Sequence, residues 1–238
     1  MKSDTAKVLH RICGRPMLSY SIDVARSIDA EKIVVVIGHQ GNMIRDAFSN
    51  HGLIYVEQGE QLGTGHAVLQ AKNVFHNYNG NIVILCGDVP LLQVSTLQNL
   101  MEHHISKKAV VSVLTTVMKN PAGYGRIVKS EKQGNVSKIV EEKDATPVEK
   151  IIQEINTGIY CVDGQFLFEA VSEINNDNAQ KEYYLTDIIQ MANRKGFRVI
   201  SIIAPDSLEV MGINTPEELK MASTLKEKKL QESNDNPS

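Results

Sequence analysis

One short stretch, Asn81 to Leu92 (Asn-Ile-Val-Ile-Leu-Cys-Gly-Asp-Val-Pro-Leu-Leu), constrains this chain more than any other. Ile82, Val83, Ile84 and Leu85 form an unbroken apolar run rich in β-branched residues. A strand with one wet face would alternate polar and apolar side chains, so an unbroken run predicts a strand covered on both faces, as in an α/β sheet. Cys86-Gly87-Asp88 follows at its carboxyl end, and Val89-Pro90 stops the strand. Ligands of open α/β sheets lie beyond the carboxyl ends of the strands, which puts the Asp88 carboxylate in the crevice. An aspartate after a strand can instead cap the next helix. Here the next helical pattern begins near Val94 or Ser95, too far on for Asp88 to reach.

The neighbouring segments alternate in the same way. Met17, Leu18, Ile22, Val24 and Ile28 recur at helical spacing behind Pro16, Ile33 to Ile37 reads as a strand, Met43 to Phe48 as a helix and Leu53 to Val56 as a strand. Strand and helix in alternation predict an α/β fold with a Rossmann-like, doubly wound, mostly parallel sheet. Val94 to His104 continues it as a helix and Val110 to Val117 as a strand. The rhythm then breaks. Arg126-Ile127-Val128 and Val136 to Val140 pair naturally across a polar turn around Gln133-Gly134-Asn135, which predicts a small β-rich lobe facing the substrate.

Glu154 to Val162 returns to the sheet, Phe166 to Val171 is helical, and Lys181 to Ile189 opens another helix in which Thr186 or Asp187 satisfies free amides. Val199 to Ile203 is the last strand, and Thr215-Pro216-Glu217-Glu218 caps a terminal helix. Met1 to Pro16 carries no strand pattern. The expected organisation is one domain over residues 1–230 and a polar tail over 231–238.

A net charge of -3, with lysines and arginines scattered, offers no field for nucleic acid or anionic lipid. Cys13, Cys86 and Cys161 are odd in number and widely spaced, which suits reduced thiols in a cytoplasmic protein. No apolar run reaches membrane-spanning length. His103-His104 sit side by side on a helix and point apart, so they read as a solvated helix end and not as a metal pair.

Between the strand at Leu53 to Val56 and the next helix lies Glu57-Gln58-Gly59-Glu60-Gln61-Leu62-Gly63-Thr64-Gly65-His66. Glycines there let backbone approach a ligand, and the Gln58 and Gln61 amides offer a donor beside an acceptor, as a nucleobase edge requires. The loop is neither the dinucleotide fingerprint nor a Gly-x-x-x-x-Gly-Lys-Ser/Thr phosphate loop.

Taken together, Lys7-Val8-Leu9-His10, Gln58 with the run from Glu60 to Ala67, Gly87 to Leu91, Gly123-Tyr124-Gly125-Arg126-Ile127, Glu141 with Lys143 to Thr146, Glu154 to Gly158, Glu182-Tyr183-Tyr184 with Thr186-Asp187, and Gly212-Ile213-Asn214 resemble the sugar-nucleotide pyrophosphorylases. The likeness is greatest to the uridylyltransferase half of the bifunctional bacterial enzymes that make UDP-N-acetylglucosamine, a cell-wall precursor, and it runs in family order over nearly the whole chain. It implies a nucleotide-diphospho-sugar transferase fold and transfer of a uridylyl group from UTP to N-acetylglucosamine 1-phosphate, releasing pyrophosphate, with magnesium. By the same resemblance Asp88 and Asn214 are metal ligands and Lys7 neutralises phosphate charge. Gln58, Gly63, Thr64, Cys86, Gly87 and Asp88 line the nucleotide, while Gly125, Glu141, Asn156 and Asn214 hold the sugar.

Three departures from the family pattern are visible. Cys86 stands where relatives often carry a bulkier residue, which should loosen one wall of the nucleotide pocket, and Thr5-Ala6 replaces a common Leu-Pro before Lys7. The family's opening strand and its glycine-rich triphosphate loop, ending in Gly-x-Arg, fall before Met1. The expectation is therefore that Met1 is an internal methionine and that the chain as written has little activity. A non-catalytic sugar-nucleotide-binding remnant, or a pyrophosphorylase for another hexose 1-phosphate, are the alternatives.

Overall fold

In the computed structural model, which describes residues 4–130 and 135–235, the apolar runs become strands and the periodic segments become helices. After a 3-10 turn at Lys7–Leu9, a small antiparallel ribbon, β1 (Arg11–Ile12) and β2 (Arg15–Pro16), leads into α1 (Met17–Ser27). Then follow β3 (Val34–Ile37), α2 (Gly41–Ala47), β4 (Ile54–Glu57), α3 (Thr64–Gln70), β5 (Asn81–Ile84), α4 (Val94–Ser106) and β6 (Val111–Val117). The hairpin β7 (Arg126–Lys129) and β8 (Val136–Val140) precedes the short α5 (Pro147–Lys150), the long β9 (Glu154–Asp163), α6 (Gly164–Glu173), α7 (Asp187–Arg194), β10 (Val199–Ile203) and α8 (Pro216–Asp235). The polar turn expected between β7 and β8 lies, apart from Asn135, outside the described residues.

The α/β, Rossmann-like class holds, while the pairing is mixed and not mostly parallel. β3 runs parallel to β4, and β6 to β10. β9 runs antiparallel to β5, β6 and β7, and it is the strand that joins them into one sheet. The reason lies in its approach. A parallel neighbour needs a helical crossover laid over the sheet. The chain reaches β9 through the β7–β8 hairpin and the four-residue α5 instead, so it comes back against its neighbours. The expected hairpin forms, and Arg126 of β7 pairs with Ile155 of β9 so that it extends the same sheet. Among the described residues β3 pairs with β4 alone and β5 with β9 alone.

Side chains of β9 alternate between two cores. Tyr160 and Val162 join α3, α6 and α7 on one face, and Ile159 and Cys161 join Leu97 and Leu100 of α4 on the other. A strand buried on both faces is what the unbroken apolar runs require. α1 closes the side near β3 with Leu18 and Ile22, and α8 packs Ala222 against Ile12 and Ile213. The Thr215–Glu218 box caps α8 as expected. Glu218 Oε2 accepts from the Asn214 and Thr215 amides at 2.6 and 3.0 Å, and the Glu218 amide donates to Thr215 Oγ1 at 3.1 Å. That helix continues through Gln231 to Asp235, beyond the point where the polar tail was expected to begin.

His104 departs from the solvated helix end read in the sequence. It is buried, with Nδ1 2.8 Å from Ser112 Oγ and Nε2 3.2 Å from Asn81 Oδ1, while His103 stays half-buried with Nδ1 2.9 Å from the Asn99 carbonyl. Adjacent helix residues do point apart, and here one of the two points inward, where polar groups of β5 and β6 satisfy the ring.

Ile159 sits fully buried at the centre of the strand that holds the sheet together. Ile159→Ala should lower the unfolding free energy by about 2–5 kcal/mol. Val148→Ala, at a position 74% exposed, should stay within about 0.5 kcal/mol of the parent. Urea unfolding of both variants checks this, and equal effects would show that β9 does not anchor the core.

Candidate functional site

The loop after β5 carries Cys86, Gly87 and Asp88 to the carboxyl end of the sheet. Asp88 does not cap α4, whose N-cap is Gln93. Its carboxylate Oδ2 instead accepts from Lys7 Nζ at 2.5 Å, and the same ammonium donates to Asn214 Oδ1 at 2.7 Å. Three residues from the start, middle and end of the chain thus meet at one point. Two local features make this possible. A Cβ on Gly87 would lie 3.2 Å from Leu18 Cδ1 and 3.4 Å from Val8 Cγ1, so the glycine lets the Lys7 turn close over the loop. The Ile213 amide donates to the Asp88 carbonyl at 2.9 Å and brings Asn214 alongside. A carboxylate oxygen and a carboxamide oxygen converging on one cationic nitrogen form a hard oxygen pair of the kind that also suits a hard metal ion.

This cluster opens on a cleft of about 400 Å³ whose walls include Cys86, Asp88, Tyr124, Thr157, Gly212 and Asn214. Burial, and then the Asp88 charge, push the Cys86 thiol up to about 12, so it stays protonated. Its Sγ lies 3.6 Å from the Gly158 carbonyl oxygen and would meet a Cβ on Gly158 at 2.7 Å. Gly158 also has φ +78. Position 86 therefore packs against the backbone of β9 while it also lines the cleft.

The glycine loop is held by the segment around Tyr183. The Tyr183 amide donates to the Leu62 carbonyl and the Gly65 amide to the Tyr183 carbonyl, both at 2.8 Å, and the Leu185 amide donates to Thr64 Oγ1 at 3.1 Å. Gly63 has φ +111, and a Cβ there would sit 2.7 Å from the Tyr183 oxygen, so no other residue fits. Gln58 Nε2 donates to the Gly63 carbonyl at 3.1 Å and lies 3.1 Å from His66 Nδ1. Gln58 and Gln61 line a second, larger cleft of about 630 Å³ with Gly38, Gln40, Glu57 and Gly59, apart from Asp88. Of the residues read as nucleotide-binding, Gln58 lines this cleft and Cys86 and Asp88 line the other, while Lys7, Gly63, Thr64 and Gly87 line neither.

Gly125, Glu141 and Asn156 do come together. The Asn156 amide donates to the Gly125 carbonyl at 2.9 Å, and a Cβ on Gly125 would lie 3.4 Å from Glu141 Oε2 and 3.5 Å from Asn156 Cβ. Asn156 Oδ1 accepts from the Gly158 amide at 3.0 Å. Glu141 Oε1 accepts from the Thr186 hydroxyl at 3.0 Å. Burial raises the Glu141 pKa, the Thr186 bond offsets part of that, and Asp144, Asp187 and Glu182 add to the rise. Thr186 therefore supports Glu141 and makes no side-chain cap bond to α7, correcting its reading as an amide-satisfying cap.

Sequence reasoning missed the bracket behind this pocket. The Arg126 guanidinium is almost wholly buried, donates to Glu142 Oε2 at 2.7 Å and to the Tyr124 carbonyl, and Glu142 Oε2 also accepts from the Gly123 amide at 3.1 Å. These bonds fix the Gly123–Gly125 loop, and they hold the Glu142 carboxyl below its ordinary range. Arg126 is visible in the sequence only as one residue of the Gly123 to Ile127 motif, with nothing there to mark Glu142 as its partner. The buried Tyr160 hydroxyl, with no hydrogen-bond partner among the described residues, also went unread; Asn156 and Glu141 are among the groups that act on it.

Comparison with known proteins identifies the family and the fold. A family model described as nucleotidyl transferase matches residues 2–208. Similar curated proteins include the "Bifunctional protein GlmU" of Geotalea daltonii, 47% identical over 226 residues that cover 94% of this chain and 49% of that protein. Those of Geobacter sulfurreducens (49% over 224 residues, 94% of this chain and 47% of the other) and Clostridioides difficile (43% over 233 residues, 98% and 50%) are also similar. The chain spans about half the length of these relatives. Among solved structures, UDP-glucose pyrophosphorylase complexed with UDP-glucose superposes with a TM-score of 0.71 at 17% identity, covering 94% of this chain and 90% of the other, and the apo form gives 0.68, with the same coverage and identity. That likeness concerns the fold.

The buried Glu141 gives a pH test. Its folded pKa lies above the ordinary 4.5, so the folded protein holds this proton more tightly than the unfolded chain. The stabilisation is full below pH 4.5 and is lost as pH rises through the folded pKa. Glu141→Gln, whose amide oxygen still accepts from Thr186, should melt above the parent at pH 7.5, with the gain vanishing by pH 4. A variant that melts below the parent at pH 7.5 would mean that the carboxylate is not held at a cost.

Proposed function

Because this chain belongs to the nucleotidyl transferase family, we propose that it moves a uridylyl group from UTP to N-acetylglucosamine 1-phosphate, giving UDP-N-acetylglucosamine and pyrophosphate with magnesium. The observation that carries this reading is the convergence of Lys7, Asp88 and Asn214, with both oxygens within 2.7 Å of one ammonium nitrogen. An oxygen pair that already surrounds one cation fits magnesium, which keeps several waters and takes few protein ligands beside substrate phosphates. Asp88 and Asn214 would hold it, and when bound it offsets negative charge on the reacting phosphates.

The remaining work falls to the chain's own groups. Lys7 brings a positive charge to the phosphates. Gly125, Glu141 and Asn156 orient the sugar through one carboxylate, one carboxamide and a glycine that leaves room. Gln58, Gly63, Thr64 and Gly87 shape the nucleotide side, largely by fixing backbone. An oxygen of the sugar phosphate attacks the α-phosphorus, the bond to the bridging oxygen breaks, and pyrophosphate leaves. That oxygen is already ionised near neutral pH, so no protein base is needed, and phosphoryl-type transfer asks mainly for positioning and charge neutralisation. We place the protein in the cytosol, a reading supported by its three free cysteines. Nucleic acid and membrane are not proposed as partners, and no described helix is long and apolar enough to cross a membrane.

The experiment is calorimetric titration with UTP and with UDP-N-acetylglucosamine at several magnesium concentrations, paired with an assay for pyrophosphate release. Magnesium-dependent binding supports the reading, and no binding of either nucleotide overturns it. Asp88→Asn and Asn214→Ala should each weaken magnesium-dependent UTP binding by at least about tenfold, the lower bound for disturbing even an outer partner of a metal, while circular dichroism stays unchanged. Near-parental affinity in both variants would remove these residues from the metal.

The sugar side yields a separate expectation. A hydrogen-bonding group left unpaired in a pocket costs about 1–3 kcal/mol. Asn156→Ala should therefore weaken binding of UDP-N-acetylglucosamine by about 5–150-fold and leave UTP almost unaffected. Equal losses toward both ligands would assign Asn156 to structure alone.

A further inference from the structure

The loop that carries Asp88 is fastened at both ends to the segment that carries Asn214. At one end the Ile213 amide donates to the Asp88 carbonyl at 2.9 Å. At the other, where α4 begins, the Gln93 amide and the Thr96 hydroxyl both donate to Oε2 of Glu209, at 3.2 and 2.9 Å. Glu209 belongs to the 3-10 turn Ser207–Val210 and is only 2% exposed. Between these fastenings Val210, Leu92 and Leu97 share one apolar cluster, so the two segments are packed as well as bonded.

Gln93, the N-cap residue of α4, makes no side-chain cap bond, and the helix takes its acceptor from a residue 116 positions away. A Glu or Gln at position 96, the third residue of the helix, would satisfy the same Gln93 amide locally, as in a capping box. Burying a distant carboxylate costs desolvation. Two charge-assisted donors and the positive end of the α4 dipole offset that cost. What a local cap could not supply is the tie itself, a fixed distance between residues 88–93 and residues 209–214.

We propose that Glu209 is a positioning residue, which by clamping the start of α4 sets the separation of Asp88 from Asn214 and so the affinity of their oxygen pair for a divalent cation. The inference rests on the cation reading given above. Glu209 touches none of the reacting groups, and its effect passes through the loop to Asp88 and through Val210–Ile213 to Asn214.

The test uses the full chain with UTP and manganese, following water-proton relaxation, which separates protein-bound manganese from manganese on UTP in solution. Glu209→Ala should weaken manganese binding by about 10–100-fold, as loss of an outer-shell support does elsewhere. Glu209→Gln, which keeps an acceptor oxygen, should stay close to the parent. Thr96→Val removes one of the two clamp bonds, should weaken binding several-fold, and decides the matter if Glu209→Ala does not fold. A merely structural role would lower the melting temperature of these variants without changing the manganese affinity of the folded protein. That outcome, with the parent binding manganese normally, overturns the proposal and leaves the cation reading intact. If the parent itself binds no manganese in the presence of UTP, the cation reading falls and takes the proposal with it.

Discussion

The Asp88 loop and the sugar pocket are both referred to one strand, β9. It pairs with β5, β6 and β7, so the loop after β5, the hairpin loop before β7 and the Asn156 side chain are all set by one backbone. Its register on β6 shifts between Val113 and Thr115, and Gly158, at φ +78, lies opposite that shift. Before the shift β9 offers Asn156 to the pocket. After it, the strand delivers Ile159 and Cys161 to one core and Tyr160 and Val162 to the other. A side chain on Gly158 would strike Cys86 and drive the Asp88 loop off the strand.

Magnitudes show which part of the molecule holds which. The Lys7–Asp88 pair is about a third exposed on both sides, and such pairs contribute about 0–1 kcal/mol. Each fully buried Leu, Ile or Val contributes roughly 1.5–3 kcal/mol, and β9 alone places Ile155, Ile159 and Val162 in that class. The fold therefore positions the site, and the site contributes little to the fold. The same asymmetry explains the glycines. At Gly63, Gly87 and Gly125 a missing Cβ lets backbone or neighbouring side chains approach closely, and hydrogen bonds such as Ile213 amide to Asp88 carbonyl, Asn156 amide to Gly125 carbonyl and Thr186 hydroxyl to Glu141 then set where Asp88, Asn156 and Glu141 end up.

The strands that could be read in the sequence were those whose burial leaves a local trace. Ile82–Leu85 is an unbroken apolar run, Val110–Val117 and Val199–Ile203 are β-rich runs interrupted only by Ser and Thr, and they became β5, β6 and β10. Strand direction leaves no such trace, which is why β9 was expected in a mostly parallel sheet. The β1–β2 ribbon was invisible because two residues per strand give no period. Lys7, Asp88 and Asn214 could be singled out by resemblance, and their meeting point follows from the fold. The supports around them could not be singled out. Thr186 reads as a possible cap, and nothing local marks Arg126 or Glu209 as supports, because Thr186, Arg126 and Glu209 engage side chains 45, 16 and 113 positions away.

The chemistry proposed for this arrangement also follows from what the site withholds. Cys86 is the thiol nearest Asp88, and burial reinforced by that carboxylate keeps its pKa near 12. At neutral pH its thiolate fraction is of order 10⁻⁵, far below that of an activated cysteine. Cys161 is pushed to about 12 by burial alone and faces the core. With no ionised thiol at the cleft, the Asp88 carboxylate engaged by Lys7 and the Glu141 carboxylate engaged by Thr186, a covalent enzyme intermediate has no good nucleophile. An ammonium, a carboxylate and two carboxamides are suited to holding phosphates and a sugar in line. In the proposed reaction that leaves direct displacement between the two substrates as the route the residues favour.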